Sequence, residues 1–262
     1  MSVDACAAMV QQGDPDRFAA TMAAAPALRN ILWPLYAFNL ELAKAAWASA
    51  EPMIAEMRLQ WWRDALGEVG AEVGSGGRVR AHDVLGPLAD VVRTHGLQLA
   101  LLEGMIDARR WDLGRGGFGD AAGLAAHLDA TAGHLMVLAA RALGAAPAAE
   151  PVVRRFAFGA GVANWLLAVP VLAARGRQPL VDGSEAGIVA LARQGLAALA
   201  GARSERRLVA GQAAPALLAG WQAGALLGQV VAEPGRVLAG SMGQSEFARR
   251  GGLAWRGMTG RW

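Results

Sequence analysis

This chain has a single cysteine, a single tyrosine and a single lysine, and each scarcity excludes something. Cys6 has no second thiol to pair with, so no internal disulfide forms and a cysteine-built metal site is ruled out; one free thiol suits a reducing compartment. Lys44 is the only lysine, so nearly all positive charge is arginine, and a pI of about 9.9 overstates a formal net charge of +3. No basic run is interleaved with aromatics, which argues against nucleic-acid binding. The histidines, His82, His95, His127 and His134, fall in no HExxH or HxH pattern. His127 and His134 are seven apart and could share a helix face. Strand-forming residues are also sparse, while Leu, Ala, Arg and Glu recur at three- and four-residue spacings, the mark of a mostly helical protein.

The opening MSVDACAAMVQQGDPDRF carries an early Asp4 and no basic-then-apolar order, so it does not read as a signal peptide. Two long stretches lack charge, Phe156 to Ala174 and Leu208 to Ala232. Both are rich in Ala and Gly and hold internal amides, Asn164 in the first and Gln212, Gln222 and Gln229 in the second. Such segments are weakly hydrophobic against a bilayer and are expected to be buried helices of a soluble domain, with peripheral membrane contact left open.

Asp14-Pro15-Asp16-Arg17 has the acidic cap and first-turn proline of a helix start. A second helix follows Pro26, with Pro34 near its beginning or at a kink. Ser49, Glu51 and Pro52 open a third, in which Ile54, Met57 and Trp61 share one face and Glu56, Gln60 and Asp64 another. Gly74 to Gly77 reads as a loop. DAAGLAAHLDATAGHLMVLAARALG reads as one helix closed at Gly144. A further helix carries NWLLAVPVLAARGRQPL, two more are split by GARSERR, and the glycine-rich tail bears Trp255 and Trp262. With no linker and no repeat, residues 1–262 are expected to form one all-α domain.

Three stretches bear on a site. In LYAFNLELAKAAW, Tyr36, Phe38, Asn39 and Glu41 lie within two turns, but Asn39 and Glu41 project about 200° apart, which sets them on different faces. Adjacent Trp61 and Trp62 point to different faces too, one to the core and one to a groove or partner, and Arg58 has carboxylates within helical reach. Asp107 and Asp112 sit about 140° apart around a helix, a poor metal pair.

In order from about Phe18 to Leu180, PLYAFNLEL, LLEGMIDARRWDL, LAAHLDATAGHL and FGAGVANWLLAVPVLAARGRQPL together resemble the squalene/phytoene synthase family. The resemblance implies the all-α isoprenoid synthase fold, a helical bundle around a central cavity. It also implies two facing aspartate-rich motifs that hold Mg²⁺ to neutralise a departing diphosphate. This sequence offers Ala43, Lys44 and Trp47 at the first motif, and Ala168 and Leu172 at the second, while Asn164, Gly176 and Arg177 remain.

The resemblance narrows to one branch. AFNLELA, the EPMIAEMRLQWWRDAL helix, the apolar AVP and the tryptophan-bearing tail are similar to mitochondrial assembly factors for respiratory complex I and their bacterial relatives. That likeness implies a non-catalytic cytoplasmic protein, peripheral at the inner membrane, with neither metal nor cofactor, an isoprenoid or lipid ligand and a respiratory-complex subunit as partner. Tyr36, Phe38, Asn39, Glu41, Asn164 and Arg177 are the candidate pocket residues; Trp61, Trp62 and Arg58 are the candidate partner surface. Two alternatives stand beside it. One is a prenyltransferase with Mg²⁺ on unorthodox ligands, Glu41, Asp107 and Asp112, and Arg177 on the phosphate. The other is an isoprenoid carrier without turnover.

Overall fold

The computed structural model describes residues 2–45, 51–75, 80–114, 116–209 and 211–262, the side chains of 72–75 excepted. Trp47, Ser49 and the glycines at 76 and 77 lie outside the described residues. Among those described, all regular structure is helical, in keeping with the composition. The helices are α1 Val3–Gly13, α2 Pro15–Met22, α3 Pro26–Ala45, α4 Pro52–Ser75, α5 Leu85–His95, α6 Leu99–Arg109 and α7 Ala121–Leu128. They continue with α8 His134–Ala142, α9 Glu150–Ala174, α10 Glu185–Ser204, α11 Ala214–Leu218, α12 Ala223–Ala232, α13 Gly235–Leu238 and α14 Glu246–Thr259.

The predicted start at Asp14 is a real cap. Its carboxylate accepts from the Arg17 amide at 2.9 Å, and Pro15 takes the first helical position, where no amide is missed. Pro34 sits inside α3 rather than at its beginning, buried with the core. α4 runs on through Gly74 and Ser75, where a loop was expected. Its buried stripe is Ala55, Leu59, Trp62, Leu66 and Val69, at alternating spacings of four and three. The face of Ile54 and Met57 therefore points outward, with Met57 66% exposed.

The helix expected to run unbroken to Gly144 is interrupted. Residues Asp129–Gly133 form a π-helical turn between α7 and α8. Arg154 of α9 holds the Asp129 carboxylate through both oxygens, at 2.8 and 2.7 Å. The inserted residue shifts the register, so His127 and His134 part company. His127 turns toward the centre of the bundle, while His134 donates from Nδ1 to the Leu101 carbonyl at 3.0 Å.

α9 is the spine of the bundle, packed against α7, α8, α10 and α12. Its approach to α10 is close because Gly159 has no side chain: a Cβ there would meet Leu199 at 2.5 Å and the Gly195 carbonyl at 2.7 Å. The helix ends at Gly176, whose φ of +75° makes the turn. Pro147–Ala174 and Gly211–Ala232 are long and apolar enough to cross a membrane, yet 61% and 50% of those windows are buried in the bundle. The second is further broken into a 3₁₀ turn, α11 and α12. Beyond α9 the chain forms more helices than the two expected, because short 3₁₀ turns and glycines punctuate it. The glycine-rich tail is itself helical, as α14, capped by Ser245 and closed by Gly260 at φ +62°.

Candidate functional site

A cavity of about 420 Å³ opens at the centre of the bundle, among α2, α3, α8, α9, α11, α12 and the turns after α6 and α7. One part of its lining is apolar: Leu128, Leu135, Met136, Ala160, Leu172 and Leu226. The other is polar: Asp14, Asp16 and Arg17 from the start of α2, Tyr36 and Asn39 from α3, Arg109 and Asp112, and Asn164 and Gln222.

Each carboxylate in that lining is already engaged. Asp14 binds the Arg17 side chain at 2.8 Å. Asp16 accepts from Gln222 at 2.7 Å and pairs with Arg249 of α14. Asp112, nearly sealed from solvent, faces Arg109 at 3.4 Å, and Arg109 also reaches the Asn39 amide oxygen at 3.4 Å. Burial pushes the Asp112 carboxyl above the usual carboxylate range, and Arg109 opposes the shift.

Two further groups are tuned by burial. The Tyr36 phenol is pushed up to about 12, with the Arg17 guanidinium, 5.0 Å from its ring centre, pulling the other way. Its buried hydroxyl has no hydrogen-bond partner among the described residues. His127 is pushed down to about 4 by burial first, and then by Arg109 and Arg177, so its imidazole is neutral. It stands in an aromatic wall with Trp111, Phe118 and Trp165, ring centres 4.7 to 5.7 Å apart.

Of the residues singled out from sequence, Tyr36, Asn39 and Asn164 line the cavity together. Phe38 does not. It is fully buried on the other side of α3, edge-to-face with Trp62 at 5.2 Å, because the 100° step per residue turns it from Tyr36's neighbours into the core. Glu41 is absent from the lining for the same reason, as its angular distance from Asn39 required. Arg177 also stands behind the wall. Its guanidinium stacks on Trp111 at 3.9 Å and donates to the Trp111 carbonyl. Asp107 points away, paired with Arg63 and Arg110 at the surface.

Trp62 is buried, so it presents no surface to a partner. Trp61 is half-buried beside it, packed edge-on at 5.0 Å and covered by Arg80. Arg58 is exposed on the outward face of α4. Asp112, a candidate acid of the prenyltransferase alternative, does line the cavity; missed from sequence were its partner Arg109 and the second role of Asp14, Asp16 and Arg17 as cavity wall. Asp14 with Arg17 and Arg109 with Asp112 carried only an i, i+3 charge spacing, which is common on solvated helices, and Asp16 carried no such signal.

The donor set does not fit a magnesium cluster. Mg²⁺ takes oxygens in a near-octahedral shell and prefers carboxylates close to phosphate. Positions 168 and 172 do face the cavity, but as alanine and leucine. Ala43 is half-buried and Lys44 exposed. Among the described residues no three His, Cys, Asp or Glu side chains come together where they could hold an ion.

A family model for squalene/phytoene synthase matches residues 10–245. Solved structures of two synthases are among those that share the fold. Squalene synthase HpnC from Alicyclobacillus acidocaldarius aligns over 87% of this chain and 92% of its own, with a TM-score of 0.75 and 16% identity. A dehydrosqualene synthase in complex with a ligand aligns over 97% and 94%, with a TM-score of 0.79 and 15% identity. No curated protein matches at the sequence level. An all-helical bundle closed around a central cavity, matched by the family model over nine-tenths of its length, places this chain in the squalene/phytoene synthase family.

Proposed function

We propose that this protein is a non-catalytic member of its family, which holds the apolar tail of an isoprenoid or lipid in the cavity and acts in the assembly of respiratory complex I. The carrying observation is the identity of the cavity side chains. Ala168 and Leu172 occupy the cavity face of α9 where the family's chemistry calls for acids. The carboxylates that do line the space, Asp14, Asp16 and Asp112, each face an arginine. A diphosphate leaving group needs several units of positive charge held close to it, and a cavity of paired charges supplies none in excess.

The cavity keeps what binding requires. Its apolar lining suits a prenyl or acyl tail, and the unpartnered Tyr36 hydroxyl with Asn39 offers polar contacts to a head group. The assembly role rests on the branch likeness of AFNLELA and RLQWWRDAL, and is supported by the outward face of α4. There Met53 is 75% exposed beside Ile54, Met57 and Arg58, a patch of the kind that anchors protein partners. In this reading the protein works in the cytoplasm at the inner-membrane surface.

Deleting the gene and measuring both assembled complex I and total isoprenoids tests the reading. Loss of the complex with unchanged isoprenoids supports it; normal complex I levels sink it. The prenyltransferase alternative gains from one observation, that three carboxylates do line the cavity. Magnesium-dependent pyrophosphate release from farnesyl or geranylgeranyl diphosphate, lost in Asp112→Asn, would favour that alternative.

A further inference from the structure

The last helix has two unlike sides. Its inner side touches the bundle, half-buried at Arg249, Gly252, Leu253 and Arg256. Leu253 packs on Ala20, Leu218 and Trp221, Gly257 lies against Ala23, and Arg249 pairs with Asp16. Just past it, Trp262 is buried edge-to-face on Phe156 at 4.9 Å, and its carbonyl accepts from Arg203. The outer side carries Phe247, Trp255 and Met258, which are 89%, 57% and 78% exposed. At 100° per residue these fall within about 80° of arc, with only Gly251 among them and Ala254 at its edge.

Charge accompanies the apolar ridge. Of the arginines from residue 241 onward, Arg249 and Arg256 are half-buried on the inner side, Arg250 and Arg261 are exposed, and Glu246 is the one carboxylate. The Arg250 side chain is almost fully exposed at the flank of the ridge, where it pairs with Glu246 at 2.6 Å. A convex ridge of Phe, Trp and Met with arginines beside it matches an anionic lipid surface: the rings enter the acyl boundary and the guanidiniums meet the phosphates. Placement agrees, because Arg249 ties α14 to Asp16, which lines the cavity. We infer that the outer face of α14 docks this protein on anionic membrane, with the cavity rim beside the bilayer. This docking stands independently of what the cavity holds.

Co-sedimentation of the full-length protein with vesicles tests it. Phosphatidylcholine vesicles with about 30 mol % phosphatidylglycerol are compared with phosphatidylcholine alone. The protein is expected to partition onto the anionic vesicles at least about tenfold better, and salt at about 0.5 M should weaken that binding several-fold. The variant Phe247→Ser/Trp255→Ser/Met258→Ser should lose about tenfold or more in partition while keeping its melting temperature, since all three sites are exposed. Arg250→Glu should lose several-fold. Equal binding by the triple variant, or no binding of the native protein to either vesicle, overturns the inference. So does an oligomer in vesicle-free solution that the triple variant converts to monomer, because a second copy would then cover the ridge.

Discussion

Arg109 closes on Asp112 at 3.4 Å inside the cavity wall, and the same guanidinium reaches Asn39. Removing one partner of such a sealed pair leaves the other charge without compensation, which costs more than the pair contributes net. Arg109→Ala is therefore expected to destabilise the protein by about 3 kcal/mol, or a drop of roughly 6–12 °C in melting temperature. Arg109→Leu combined with Asp112→Leu should recover most of it. Calorimetry of the two variants checks the difference.

Stability should fall as the medium is acidified through the range set by His127. Its imidazole titrates near 4 in the folded chain and near 6.5 when unfolded. Between those values the unfolded state binds the extra proton, so unfolding becomes easier as pH drops. The loss is on the order of 2–3 kcal/mol across the window. Asp112, whose carboxyl is raised by burial, contributes the opposite slope, losing stability as pH rises. Denaturant midpoints from pH 7 to 4 should show a shallower decline in His127→Gln than in the native protein.

Gly159→Ala should weaken the fold although alanine is the better helix former. The added methyl would press on the Leu199 side chain and on the backbone carbonyl of Gly195, and the latter cannot rotate away. A cost of about 2 kcal/mol is expected, seen as an earlier urea midpoint with an unchanged slope.

Filling the cavity should separate binding from folding. Ala168 lines the space and is only half-buried, so Ala168→Trp can occupy it with little strain on the core. Organic extracts of the purified native protein are expected to contain an isoprenoid or lipid, reduced about tenfold in the variant. An empty native cavity would remove the binding half of the proposed function.

Arg177 should not tolerate lysine. Its planar guanidinium lies over the Trp111 ring at 3.9 Å and donates to that residue's carbonyl, a pairing a point-like ammonium cannot reproduce. Arg177→Lys and Arg177→Ala are both expected to cost about 1–2 kcal/mol and to raise the exposure of the Trp111 indole in quenching measurements.

Much of the fold was written in local pattern. Helix starts at Asp14 and Pro26 and the helix end at Gly144 follow from capping groups and breakers that act within one turn. The same one-turn arithmetic separated Asn39 from Glu41. It did not reveal the π turn after Leu128, because the pull that sustains it comes from Arg154, twenty-five residues away. Nor did it tell which of Trp61 and Trp62 is core, since both faces of α4 carry large apolar groups.

By itself, then, the sequence determined an all-helical chain, its faces, and the absence of acids at positions 43, 168 and 172. Tertiary structure alone decided that 168 and 172 look into the cavity, that Asp14, Asp16 and Asp112 join them there, each against an arginine, and that the ridge of Phe247, Trp255 and Met258 is left uncovered. Periodicity fixes how side chains are arranged around one helix, but what each face meets depends on helices brought near from distant parts of the chain.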